Sequence, residues 1–260
     1  MANGAIIFEG NSAIDGRDIV VIATGLKASS ANVKTGALVQ TWILLKDIHP
    51  QEAADTGADS SICGACPHRG TLETQADGTT KNVARSCYVT LFQAPRNIWQ
   101  SYKRGIYPRV KGDKARALLA GRNVRLGAYG DPAAVPFHIW NHVLADTARG
   151  TGYTHQWKAC DSRFARYCMA SADNAQEAEQ ARALGYRTFR VGTRAESIVQ
   201  GAEFLCPASK EAGMKTNCAA CLACGGTSSK NRASVFIPAH GAAGKINAFE
   251  KRIAEKESAH

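Results

Sequence analysis

The chain has 260 residues, 45% of them hydrophobic and 21% charged, the composition of a soluble globular protein with one large domain and room for appendages. No apolar run approaches the ~18 residues of a membrane span, and the opening MANGAIIFEG lacks the regions of a signal peptide. No membrane partner is therefore expected, and the nine cysteines are expected in a reducing, cytoplasmic compartment, where thiols serve metals or catalysis. The net charge of +10 favours an anionic partner such as a nucleotide or nucleic acid.

Residues 5–47 read as β structure. AIIFEG, IVVIATGL and LVQTWILL are β-branched or aromatic runs, and Asp15-Gly16 and Thr35-Gly36 supply turns between them. A hairpin and then a strand leading inward are predicted. Pro50 followed by QEAADTG predicts a short helix closed by Gly57. Next, Cys63 and Cys66 form a C-x2-C pair, and Cys87 follows after 20 residues. Three thiolates suit a [4Fe–4S] cluster with one iron left open. With His68 they would make a Cys3His zinc site, and plain packing is the third reading. The intervening ETQADGTTKN is expected to be a polar surface loop.

From Ala94 to Gly121 the pattern is helical. Ile98, Trp99, Tyr102 and Ile106 recur at helical spacing and are expected to pack on a core. Arg96, Lys103, Arg104, Arg109, Lys111, Lys114 and Arg116 interleave with them and offer phosphate contacts. DKARALLAG reads as a second helix closed by Gly121.

After Arg122, strands and helices alternate: VRLGAYG, FHIWNHVLADTA, YTHQW, CMASAD, NAQEAEQARALG with Asn174 as N-cap, RTFRVG, RAESIVQG, EFLCPAS and SVFIPAH. The predicted fold is α/β: a partial (βα) barrel-like parallel sheet with an N-terminal β-hairpin region and a C-terminal cysteine-rich cluster loop. Three segments are expected: a β-rich start at 1–60, the barrel-like domain with cysteine metal sites at 61–240, and a charged helical tail at 241–260.

Functional residues of such sheets gather at the C-terminal ends of the strands. That rule selects Tyr129, Asp131, His155, Gln156, Asp173, Arg190 and Cys206. In GAYGDP, Gly127 and Gly130 would let a ligand approach the backbone, and Asp131 would accept hydrogen bonds from an amine or ribose. The other reading is a tight turn capped by Asp131. A single strand-end histidine such as His155 is more often a satisfied core residue than a catalyst. Cys160 and Cys168 look like buried thiols. No Walker A, G-x-S-x-G or H-E-x-x-H occurs.

The densest signal is the C-x11-C-x2-C-x2-C of Cys206, Cys218, Cys221 and Cys224, four cysteines in 19 residues. C-x2-C-x2-C turns three thiolates toward one point, and small neighbours such as Ala219, Ala220 and Ala223 let the backbone wrap closely. Structural zinc more often uses two separated C-x2-C pairs, so iron–sulfur is favoured and zinc is the alternative.

The run CGACPHRG…CYV…RLGAYGDPAAVP…GYTHQW…CMASAD…YRTFRV…CPAS…CAACLACGG resembles an uncharacterised family of phage and prophage proteins over most of residues 30–240. That resemblance implies the cytoplasm of a phage-infected bacterial host and carries no activity. The architecture also resembles a divergent radical S-adenosylmethionine enzyme. This second resemblance implies that Cys63, Cys66 and Cys87 hold a [4Fe–4S] cluster whose open iron binds S-adenosylmethionine. It implies a cofactor-binding set of Gly127, Tyr129, Gly130, Asp131, His155 and Asp173 at the strand ends. A second cluster would sit on Cys206, Cys218, Cys221 and Cys224. The family's compact C-x3-C-x2-C is replaced here by C-x2-C-x20-C. The implied function is an enzyme that modifies a nucleoside, nucleic acid or peptide. The alternatives are a metal-stabilised phage nucleic-acid-binding protein without catalysis, and a fold that metal merely staples.

Overall fold

In the computed structural model, residues 2–28, 32–194, 196–229 and 232–258 are described. The three apolar runs at the start become strands β1 (Gly4–Asn11), β2 (Asp18–Thr24) and β3 (Val39–Leu45), paired antiparallel in sequence order. Every residue of β3 is buried, which is why it reads as a continuous apolar run rather than an alternating one.

Helix α1 (Pro50–Asp55) starts on Pro50, and the His49 ring accepts the Gln51 amide at its N-terminus. The short helix α2 (Ser60–Cys63) carries the first cysteine of the C-x2-C pair. The stretch expected as a loop is instead an exposed hairpin, β4 (Thr71–Thr74) with β5 (Thr80–Val83). The helical segment from Ala94 divides into α3 (Ala94–Lys103) and α4 (Asp113–Leu119). Gly105, at φ +70°, ends the first, so Ile98 is buried in the core while Ile106 is left exposed.

The alternating part follows: β6 (Asn123–Tyr129), α5 (Phe137–Val143), β7 (Arg149–Thr151), β8 (Tyr153–Thr154), β9 (Met169–Ala172) and α6 (Ala175–Ala183). Asn174 caps α6 as expected, accepting the Glu177 amide at 2.7 Å. Then come β10 (Thr188–Gly192), β11 (Glu203–Leu205), α7 (Cys218–Cys221), β12 (Ser234–Pro238) and α8 (Ala243–Ser258). The helix expected at 194–201 does not form among the described residues; Ala195 lies outside them. There the amides of Thr193 and Val199 donate to the carboxylates of Glu196 and Glu203 instead of to helical carbonyls.

The strands form two five-stranded sheets and the small hairpin sheet. The first has the order β1-β2-β3-β6-β7, with β3, β6 and β7 parallel. The second, β11-β12-β10-β9-β8, is parallel throughout. β7 and β8 are separated only by Gly152, where a Cβ would meet Cys168 Sγ at 2.9 Å. The protein is thus mixed α/β with parallel strands and a hairpin start. The N-terminal strands belong to the same sheet as β6. Among the described residues, no helix is long and apolar enough to cross a membrane.

One large core packs the first sheet against α1, α2, α4 and α5. The second sheet is covered on both faces, and β9 shows the alternation: Met169 joins Cys206, Cys224, Val235 and Ile237 on one side, and Ala170 joins Trp157, Ala181 and Tyr186 on the other. The tail is docked rather than appended, since Phe249 and Ile253 of α8 are buried against Ala239. His260, the last residue of the predicted tail, lies outside the described residues.

Candidate functional site

The site is built on the turn after α2. Gly64 sits at φ +54°, and Gln156, just beyond β8, clamps this turn. Its amide nitrogen donates to the Cys63 carbonyl at 3.0 Å, and its oxygen accepts the Ala65 amide at 3.2 Å. The Asp131 amide donates to the Ile62 carbonyl at 2.6 Å, tying the β6 end to the same turn. Beneath it, Asp59 is fully buried and neutralises Arg69 and Arg85, the latter at 2.9 Å.

The long gap before Cys87 closes on itself. Thr71 pairs with Val83 across the β4–β5 hairpin, and the Cys87 amide donates to the His68 carbonyl at 2.9 Å. Cys87 is thereby returned to the turn that carries Cys63 and Cys66. The three thiols are neighbours: burial pushes the Cys63 thiol well up, and Cys66 and Cys87 push it further. Burial raises Cys87 too, and Arg85 beside it opposes the rise. Tyr129, buried at the end of β6, faces this group. Its hydroxyl has no hydrogen-bond partner among the described residues, and burial followed by Cys63 raises its pKa well above the usual tyrosine range.

Three further side chains converge beside Cys66. His68 Nε2 lies 3.0 Å and His155 Nε2 3.7 Å from Asp173 Oδ1. His155 and Asp173 are supplied by the ends of β8 and β9, as the strand-end rule predicts. The other edges of the triad are fixed: His68 Nδ1 lies 2.8 Å from Ser86 Oγ, and Arg252 of α8 donates to Asp173 Oδ2 at 3.0 Å. Phe249 stacks on the His68 ring at 5.6 Å between centroids. Burial favours neutral His68 and lowers its pKa despite Asp173. Burial also disfavours charge on His155, but Cys66 and Asp173 outweigh it and raise that imidazole well above its ordinary range. Asp173 goes well below the carboxylate range, because its hydrogen-bonded and charged histidine neighbours overcome the cost of burial.

The four remaining clustered cysteines form a separate group. Cys206 leaves the end of β11 with its amide on the Phe236 carbonyl at 2.8 Å. α7 is a single turn capped by Asn217, and the Cys218 and Ala219 amides donate to the carbonyls of Lys34 and Thr35. Gly152 donates to the Cys224 carbonyl at 3.1 Å. Burial pushes Cys224 up to about 12, with Cys206, Cys218 and Cys221 adding to the rise. Burial raises Cys206 as well, with contributions from Cys218 and Cys221. Cys160 and Cys168 stand apart from both groups. Cys168 is buried, and Cys160 lies 3.5 Å from the Tyr186 hydroxyl.

Several expected site residues take other roles. Asp131 Oδ1 accepts the Ala133 amide at 2.9 Å and Oδ2 the His155 amide at 2.8 Å, so it caps its own turn and positions β8. A Cβ on Gly127 would meet the Gly130 carbonyl at 2.4 Å, and one on Gly130 would meet the Ile43 carbonyl at 2.8 Å. These glycines build the tight turn. Arg190 points into an ion pair with buried Glu203, not into the site. His68 engages Ser86 and Asp173 through its two nitrogens rather than joining the cysteines in a Cys3His set. Within the basic stretch, Arg109 pairs with Glu9 and Arg116 with Asp146. Ser86, Arg85 and Arg252 were not singled out from sequence; proximity to Cys87 was the available signal for the first two, and Arg252 had none.

Comparison with protein-family models, curated proteins and solved structures returns no match.

Proposed function

We propose that the chain is an iron–sulfur protein of radical S-adenosylmethionine type, with an open [4Fe–4S] cluster on Cys63, Cys66 and Cys87 and a closed one on Cys206, Cys218, Cys221 and Cys224. In this reading the parallel strands from β3 to β11 act as a partial barrel around the reacting ligand, a nucleoside, nucleic acid or peptide. The observation that carries it is the segregation of seven cysteines into neighbouring sets of three and four. The all-sulfur donor sets suit iron–sulfur clusters, with zinc as the alternative. When bound, such a cluster supplies an electron to a ligand on its open iron. The chain's own residues would clamp the turn through Gln156, hold Cys87 through His68, and shield the site with Tyr129.

Anaerobic reconstitution followed by iron, sulfide and zinc analysis tests the proposal. About eight irons per chain are expected, falling to about four in Cys63→Ser and, independently, in Cys224→Ser. Cys87→Ala is expected to lose S-adenosylmethionine binding. Zinc without iron, or loss of all iron in either single variant, overturns the assignment.

A further inference from the structure

We propose that His68, His155 and Asp173 form a second kind of metal site, taking one divalent first-row transition ion through two imidazoles and a carboxylate. The inference stands whether or not the cysteines hold iron. Its basis is convergence: one nitrogen of each histidine and one oxygen of Asp173 all lie within 4.8 Å of one another. The second observation is that His155 Nε2 is buried with no hydrogen-bond partner among the described residues. An imidazole nitrogen shielded from water and held only by a 3.7 Å contact to Asp173 is poorly satisfied in a purely structural histidine, and a metal ion would satisfy it.

The surrounding groups fit ligation. His68 Nδ1 contacts Ser86 Oγ at 2.8 Å, which fixes the ring and leaves Nε2 facing Asp173. Arg252 holds Asp173 Oδ2 at 3.0 Å, leaving Oδ1 as the ligand atom between the two histidines. Outer partners of this sort orient ligands in metal sites generally. The ligands come from three places, the loop after Cys66, the end of β8 and the end of β9. Two histidines and one carboxylate supply three positions and leave others open for water or a substrate atom. The donor set suits Zn2+, Fe2+ or Mn2+, and it differs from the all-sulfur sets nearby.

The test uses Mn2+, because imidazole and carboxylate bind it while thiolates favour softer ions. The full-length chain is titrated with Mn2+, free ion is followed by its paramagnetic resonance signal, and bound ion is examined for spin-echo modulation from imidazole nitrogen. One Mn2+ per chain with nitrogen modulation is expected. His155→Ala and Asp173→Asn should abolish it. Ser86→Ala, which removes an outer partner, should weaken binding by about 10-fold or more. Cys160→Ser, at a thiol that stands apart from both cysteine groups, should leave binding unchanged. Absence of nitrogen-coupled Mn2+, or undiminished binding in His155→Ala, overturns the proposal. Asp173→Asn risks misfolding because Arg252 would lose its anionic partner. His155→Ala removes a ring whose carboxylate neighbour, Asp173 at 3.7 Å, still keeps His68 and Arg252, so it decides the matter.

Discussion

Replacing Gln156 by Ala should loosen the turn that carries Cys63 and Cys66, and its cost follows from two hydrogen bonds. The Gln156 amide spans the turn, donating to the Cys63 carbonyl at 3.0 Å and accepting from the Ala65 amide at 3.2 Å. Neither bond is fully buried, so about 1 kcal/mol for each is the appropriate scale, about 2 kcal/mol together. In a chain of this size that corresponds to a fall in Tm of about 4–8 °C. The same contact can be approached from the other side. A Cβ at Gly64 would fall 2.3 Å from Gln156 Oε1, and Gly64 also holds φ +54°. Gly64→Ala therefore carries backbone strain of about 1–3 kcal/mol plus a clash with Gln156. Removing Gln156 relieves the clash and leaves the strain. Thermal and urea unfolding of the metal-free chain under reducing conditions should show that Gly64→Ala costs less in the Gln156→Ala background, by about 1 kcal/mol. Strict additivity of the two substitutions, or a Tm shift below about 1 °C for Gln156→Ala, would refute the clamp.

Two further outcomes are expected. Arg190→Ala should destabilise the fold by about 3–5 kcal/mol in urea unfolding, because it strands the buried Glu203 carboxylate that Arg190 now holds at 2.8 Å; Arg190→Lys should recover only part of that loss. Cys168 gives a pH signature: burial pushes its thiol well above the ordinary range, so the folded state holds the proton more tightly than the unfolded chain. Its contribution is complete below the unfolded value of about 8.5 and declines above it, by at most about 1.4 kcal/mol per pH unit. Cys168→Ala should flatten the alkaline limb of the metal-free protein's stability profile by that amount, and an unchanged slope would remove Cys168 as its source.

How much of this was legible depended on whether the determining contact was local. The apolar runs of β1 to β3 and the Asn174 cap announce themselves because composition or one side chain decides them. The strand-end rule found His155 and Asp173 for a topological reason, since parallel strands deliver their last residues to one edge. It failed at Arg190 because Glu203, 13 residues on, captures the guanidinium. The β4–β5 hairpin escaped detection because it buries no face, and without burial there is no apolar alternation to read. That hairpin closes C-x2-C-x20-C into one group, so the spacing looked more anomalous than it is. Arg252 was invisible for the opposite reason. An amphipathic tail declares its apolar stripe, but not the surface on which Phe249 and Ile253 come to rest.

The charges beside the four-cysteine group bear on what that group holds. Arg187 is buried, and its guanidinium donates to the carbonyls of Ala223, Gly226 and Ala233. Among the described residues it forms no ion pair with a carboxylate. Arg125, from β6, is also without one; its Nη2 donates to the Tyr88 hydroxyl at 2.7 Å and its Nε is buried and unpaired. Carbonyl and hydroxyl partners satisfy hydrogen bonds but do not neutralise charge, and an unneutralised buried cation is costly. The groups beside them able to become anionic are the Cys224 sulfur for Arg187 and, for Arg125, the Tyr88 and Tyr153 hydroxyls and the Cys218 sulfur. Burial lowers the Arg187 pKa, and Cys224 is what opposes the fall; burial likewise works against Arg125, whose charge Tyr88, Tyr153 and Cys218 support. As neutral thiols, these cysteines would leave both guanidiniums uncompensated, and burial does favour the neutral form in the metal-free chain. Metal ligation reverses that preference, because a coordinated thiol is deprotonated outright. Four thiolates around a cationic centre give a net anion, and two guanidiniums beside it then become stabilising rather than costly. A thiolate-ligated centre of the kind proposed would supply negative charge beside Arg125 and Arg187 that four packed neutral thiols would not.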